Sequence, residues 1–188
     1  MKRKTAYAAT ISALVLLGCQ VSLGDDDSSD DDKHYALWQP QPGVDPVQNA
    51  AYVEECGSCH MAYPAGLLPA RSWEKIMLGL DDHFGDNAQL EPQLNRELTD
   101  FLLVHSADAA PYRRSRKVMH SLTTTEAPMR ITELPYIRHE HDEIPDRLVT
   151  GNKQVGSLSN CDACHQQAAR GSFSERQIRI PGVGRWDG

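Results

Sequence analysis

The chain is poor in aromatic residues and short of cations. Three Phe, three Trp and six Tyr in 188 residues leave little large apolar surface to bury, so side chains alone predict a thin core. Nineteen Lys and Arg stand against 26 Asp and Glu. That balance argues against nucleic-acid binding, because phosphate contacts need basic side chains. Long hydrophobic runs are also missing. The stretch Ala8 to Leu17 falls well short of the ~20 apolar residues that a bilayer-spanning helix needs. Cysteine is scarce too, but its placement is not random: of five, four fall into two pairs of equal spacing.

The N-terminus reads as a targeting segment, residues 1–18. Lys2, Arg3 and Lys4 precede the short apolar stretch, and Leu16-Leu17-Gly18-Cys19 follows. This resembles the bacterial lipobox, in which cleavage falls before the Cys and its thiol is acylated. Cys19 is therefore the expected lipidation site. Gln20, where an inner-membrane lipoprotein would carry Asp, resembles outer-membrane sorting. The expected location is the periplasmic face of the cell envelope, held to a membrane by the N-terminal lipid. Cleavage removes three cations and no anions, taking the formal charge from -7 to -10. Residues 19–45 contain Asp25, Asp26, Asp27, Asp30, Asp31 and Asp32, a self-repelling run expected to be a disordered tether.

Beyond the tether the expected fold is mainly α, in two lobes. The first, residues 46–110, is compact and helical. Asp45-Pro46 looks like an N-cap followed by Pro at N1 and predicts a helix from there into Cys56. A second helix starts near Ser72, with Trp73, Ile76, Met77 and Leu80 on one face. A third runs from about Pro92 to His105, with Leu94, Leu98, Phe101 and Leu102 on one side. Residues 111–188 are expected to be largely irregular. Arg113, Arg114, Arg116 and Lys117 form a basic cluster that reads as a solvated linker or as a group neutralising acidic partners. That lobe has almost no apolar core of its own and needs a staple.

The staple is visible in the cysteines. Cys56-Gly57-Ser58-Cys59-His60 and Cys161-Asp162-Ala163-Cys164-His165 are both C-x-x-C-H. On a helical turn the two Cys and the His share one side. Both thiols can then add to haem vinyl groups while the imidazole is aimed at the iron. A zinc site does not require His after each pair. With eight His in the chain, chance would place one after both pairs in roughly 0.2% of cases. Two redox pairs or two plain disulfides leave the histidines equally unexplained. Two covalent haem c groups are therefore expected, with His60 and His165 as proximal ligands. Their rings would supply the large apolar surface that the side chains lack.

Each iron then needs a sixth ligand or keeps an open site. His34, His83, His105, His120, His139 and His141 remain. His83 lies in a loop before the third helix, where small cytochromes commonly place a distal ligand. His105 sits near that helix's C-terminus, where a packed or capping His is the plainer reading. His139 and His141 lie about twenty residues before the second motif. Met61, Met77, Met119 and Met129 read as core or loop residues, and Trp38, Trp73 and Trp186 as packing residues.

Several of these pieces fall together in one pattern. Cys56-x-x-Cys59-His60-x-x-Tyr63-Pro64, Leu67-Leu68-Pro69-x-Arg71-Ser72-Trp73 and Asp82-His83-Phe84-Gly85, with Pro135-Tyr136, His141 and Cys161-x-x-Cys164-His165, resemble the bacterial di-haem cytochrome c family (DHC). Gly171-x-Phe173 and Ile178-x-Ile180-Pro181 continue the match. The resemblance covers the chain from about Gln48 onward. It implies two bis-histidine haems, with His83 and His141 as the distal ligands of His60 and His165. It implies an N-terminal lobe like cytochrome c and a less regular C-terminal lobe. It also implies an electron carrier whose partners are redox proteins, either a small oxygen-binding haem protein or a membrane cytochrome b. The lipobox and acidic tether depart from a freely soluble family member. The competing functions are a di-haem enzyme (a peroxidase or a sulfur-compound dehydrogenase) and a haem-based ligand sensor. Both need a labile sixth site.

Overall fold

The computed structural model describes residues 42–186. The signal segment, Cys19, the acidic run, His34 and Trp38 lie outside the described residues. The described residues form one compact unit, and among them no helix is long and apolar enough to cross a membrane.

Helix α1 spans Ala50–Cys56, with the Asn49 side chain accepting from the Tyr52 N–H at 2.9 Å as its N-cap. It starts later than Asp45-Pro46 suggests. Asp45 is drawn elsewhere: its carboxylate takes His105 Nδ1 at 2.8 Å and the Tyr112 hydroxyl at 3.2 Å. The backbone around it has no regular structure, with Gly43 N–H donating to Gly171 O and Val47 N–H to Ala169 O. This strap ties the start of the unit to a turn near its end. Gly171 is required there. Its φ is +72° and a Cβ would stand 2.2 Å from Val44 O, so both the left-handed backbone and the close approach exclude a side chain.

Helix α2 spans Ala70–Leu78 and buries Ser72, Trp73, Ile76 and Met77. The indole N–H of Trp73 donates to Ala65 O at 2.8 Å, satisfying its polar atom inside the core. Gly79 ends the helix, so Leu80 reaches the core from a 3₁₀ turn, Leu80–Asp82, and not from α2 itself. Helix α3, Pro92–Val104, packs on α2. Glu91 caps it, accepting from the Gln93 and Leu94 N–H groups, and Pro92 occupies the first turn where no donor is needed. Leu98 and Leu102, one helical turn apart, are each 1% exposed and face the core with Tyr52 and Trp73.

The basic cluster is a helix, not a linker. Helix α4 spans Arg113–His120, buries Ser115 and Val118, and lies against the 3₁₀ turn Ala65–Leu67. Apolar periodicity missed it because Val118 is the one aliphatic side chain fully buried on its inner face, beside Ser115. Helix α5, Pro135–His139, has Pro at its N-terminus and buries Tyr136 and Ile137. The second motif forms a single turn, α6, Cys161–Cys164. A short hairpin closes the unit, β1 Arg179–Ile180 antiparallel to β2 Gly184–Arg185.

The core is unequal. One large cluster runs from Val44 through Leu134, Tyr136, Ala168 and Phe173. A second holds only Val149, Val155 and Ile180 as fully buried members, with Ile144, Leu148, Ile178 and Trp186 around them. That small cluster borders a cavity of about 430 Å³, lined also by Cys161, Cys164, His141 and His165.

Candidate functional site

Two histidine pairs face each other, one at each motif. At the first, α1 delivers Cys56 and the following turn presents Cys59 and His60. The His60 Nδ1–H donates to Met61 O at 2.7 Å, which orients the ring and leaves Nε2 bare for a ligand bond. Opposite stands His83, with ring centroids 6.2 Å apart and planes at 31°. A tight reversal presents it: His83 N–H donates to Asp86 O at 2.7 Å, and Phe84 sits at φ +58°. A non-glycine residue in that region costs about 1–2 kcal/mol, and the strain falls beside His83. The Asp82 carboxylate accepts from the Gly85 N–H, and the Arg130 guanidinium covers the Phe84 ring at 3.9 Å. Burial, then the neighbouring His60 and Arg130, push the His83 imidazole below its ordinary range, toward the neutral form.

At the second motif His165 follows α6 and is pinned by its N–H to Cys161 O at 2.7 Å and by a bridge to Ile178. His141 stands opposite, centroids 6.1 Å apart and planes at 78°. The His141 Nδ1–H donates to Ile137 O at 2.7 Å, the same arrangement that His60 has. Phe173 meets the His165 ring edge-on at 5.3 Å. Burial, then the fields of His141 and Arg114, push the His165 imidazole down to about 4, so it is held neutral, the form that ligates metal. Its Nδ1 is buried with no protein partner.

The geometry suits an iron in each gap. A metal–imidazole bond is about 2.0–2.1 Å. Two such bonds in line, each extended by the ~1.1 Å from ring nitrogen to ring centre, place centroids about 6.3 Å apart. Both pairs match that span. Two imidazoles alone are an incomplete coordination sphere, and among the described residues no cluster of three or more His, Cys, Asp or Glu side chains converges. A bound haem would supply the remaining nitrogen ligands. Burial raises the Cys56 and Cys161 thiols to about 11. A reactive redox pair needs the opposite shift.

The other histidines go elsewhere. His105 caps α3 and holds Asp45, with Phe101 against its ring. His139 is 80% exposed and meets only Asp142, at 3.3 Å. His120 is exposed at the end of α4. The carbonyl of Met61, not its sulfur, serves the first site.

Two participants gave no signal of their role in the residue pattern. Arg114 is largely enclosed: it donates to the Tyr136 hydroxyl at 2.7 Å and to Phe173 O at 3.1 Å, and its guanidinium lies near both rings. Glu140 balances its charge at 3.7 Å and also takes Lys117. Tyr63 lies on the His60 ring, centroids 4.8 Å apart and planes at 23°. Burial, with Cys161 and Asp162 nearby, raises its hydroxyl to about 12, so it stays a donor.

Residues 52–173 match the family model described as dihaem cytochrome c. Among solved structures, the chain is 45% identical to a diheme cytochrome type c from Shewanella baltica OS155, with TM-score 0.63, covering 75% of this chain and 99% of that one. It is 39% identical to a diheme cytochrome c from Rhodobacter sphaeroides, with TM-score 0.62, covering 69% of this chain and all of the other. No curated protein matches.

Proposed function

This chain belongs to the dihaem cytochrome c family, with haem electron transfer as its role and two covalently bound c-type haems as its cofactors, and we propose that both irons are closed by paired imidazoles. In this reading Cys56 and Cys59 hold the first haem and Cys161 and Cys164 the second. His60 and His83 ligate one iron, and His165 and His141 the other. The observation that carries it is the pair of imidazole gaps, 6.2 and 6.1 Å between centroids.

The haem supplies one-electron ferric–ferrous chemistry when bound. The chain's own residues keep it to that chemistry. Paired imidazoles leave no vacant position for substrate or oxygen. Met61 O and Ile137 O hold His60 and His141 in orientation through their Nδ1–H groups. Arg114 places a cation near the second site, which favours the reduced state there. Two imidazoles also imply a lower potential than a Met ligand would give.

The partners we propose are redox proteins, a haem protein acceptor or a membrane cytochrome b. Cys19 would carry the lipid that holds the chain on the periplasmic face of the envelope, at the outer membrane by the Gln20 pattern. The enzyme and sensor alternatives require a labile sixth ligand, so the spectra of the purified protein discriminate. Two low-spin haems that ignore carbon monoxide when reduced are expected. A high-spin fraction, or carbon monoxide binding, would move the reading to a peroxidase, a dehydrogenase or a sensor.

A further inference from the structure

The two sites are joined by a continuous chain of contacts through one side chain. The Tyr63 ring lies over the His60 imidazole. Its hydroxyl donates to Ser159 O at 2.7 Å, across 96 residues of sequence. That same carbonyl accepts the Cys161 N–H at 2.9 Å. Ring, hydroxyl, carbonyl and amide thus lead from the ligand of one motif to the first cysteine of the other. Tyr63 is itself held by its own carbonyl, which accepts the hydroxyl of the buried Tyr52 at 2.8 Å. Neither end of Tyr63 is free to move: its carbonyl is held by Tyr52 and its hydroxyl by the second motif.

We propose that Tyr63 is the positioning residue that couples the two haem sites, setting the plane of the His60 imidazole with its ring and fixing the second attachment site with its hydroxyl. The consequence is functional. In half-reduced protein one electron leaves the reduced site as the oxidised site gains it, with no bond made or broken and no other reactant. The Tyr63–Ser159–Cys161 connection shortens the through-space portion of that exchange. The inference rests on the paired-imidazole reading, and its test separates the two.

The experiment uses the full-length holoprotein and the variants Tyr63→Phe and Tyr63→Leu. Exchange between the half-reduced forms is read from haem methyl resonances by nuclear magnetic resonance, and ligand geometry from electron paramagnetic resonance. Tyr63→Phe keeps the ring over His60 and removes only the link to Ser159. Exchange should slow several-fold while both low-spin signals keep their g values. Tyr63→Leu should slow exchange as well and shift the g values of one haem, because its imidazole loses the ring that sets its plane. Exchange at the wild-type rate in Tyr63→Phe would overturn the coupling, and unchanged g values in Tyr63→Leu would overturn the orienting role. A high-spin haem in the unmodified protein would instead contradict the ligand assignment.

Discussion

At the scale of single residues, histidines of the same type do different work, and their neighbours decide which. His83 and His141 face a motif imidazole across a gap of the width an iron occupies. His105 and His139 have carboxylate partners instead. Replacing His83 or His141 by Ala should convert one haem to high spin. The same change at His105 or His139 should leave both low-spin, and optical spectra check all four variants. The motif histidines were legible in the sequence because covalent chemistry fixes the spacing Cys-x-x-Cys-His. The histidines opposite them were not fixed by the residue pattern, since what brings His83 to His60 is a chain reversal with Phe84 at positive φ. The loop position before α3 pointed to His83, and the likeness to a family pointed to both His83 and His141. Arg114 is a second case. Its neighbours in sequence read as a solvated basic run, yet its guanidinium is held between Tyr136 and Phe173. Arg114→Met should cost about 2–3 kcal/mol, because the Tyr136 hydroxyl and Phe173 O lose their donor and Glu140 keeps only Lys117 as a cation partner. It should also lower the potential of the second haem, the cation that favours the ferrous state being gone. Chemical denaturation and a spectroelectrochemical titration measure the two effects. An unchanged potential would place Arg114 outside the second site's field.

At the scale of elements, the helices with aliphatic faces could be read directly. Trp73, Ile76 and Met77 mark α2, and Leu98 and Leu102 mark α3. The start of α1 could not, since Asp45 has the chemistry of a cap but is claimed by His105, sixty residues away. Long-range partners of this kind leave no local trace. The strap from Gly43 to Val47 was also invisible, because its partner is the backbone around Gly171. Gly171→Ala should destabilise by about 2–4 kcal/mol, combining left-handed strain with the clash at Val44 O. Gly156 provides the control. It has a similar φ of +71°, but a Cβ there meets nothing nearer than 3.8 Å, so Gly156→Ala should cost only the backbone strain, about 1–2 kcal/mol. Equal losses at the two positions in urea unfolding would show that the strap does not depend on the close approach.

At the scale of the whole molecule, the scarcity of aromatic side chains has its counterpart in the uneven core. The segment between Ile137 and Ala168 reaches the large cluster through Cys161. The small cluster beside the second motif has Val149, Val155 and Ile180 as its buried members, too few to order that segment without the haem surface. In holoprotein lacking the second attachment, Cys161→Ala with Cys164→Ala, limited proteolysis should cut between residues 144 and 160 and at the terminal hairpin. The region around α2 and α3 should stay protected. Protection throughout would mean that the small cluster suffices by itself. Covalent attachment at both motifs underlies both sites. Peptide mass analysis of the mature protein tests this directly. The peptide containing Cys56 and Cys59 and the peptide containing Cys161 and Cys164 are each predicted to carry the mass of one haem, and bare thiols or a disulfide at either motif would contradict it.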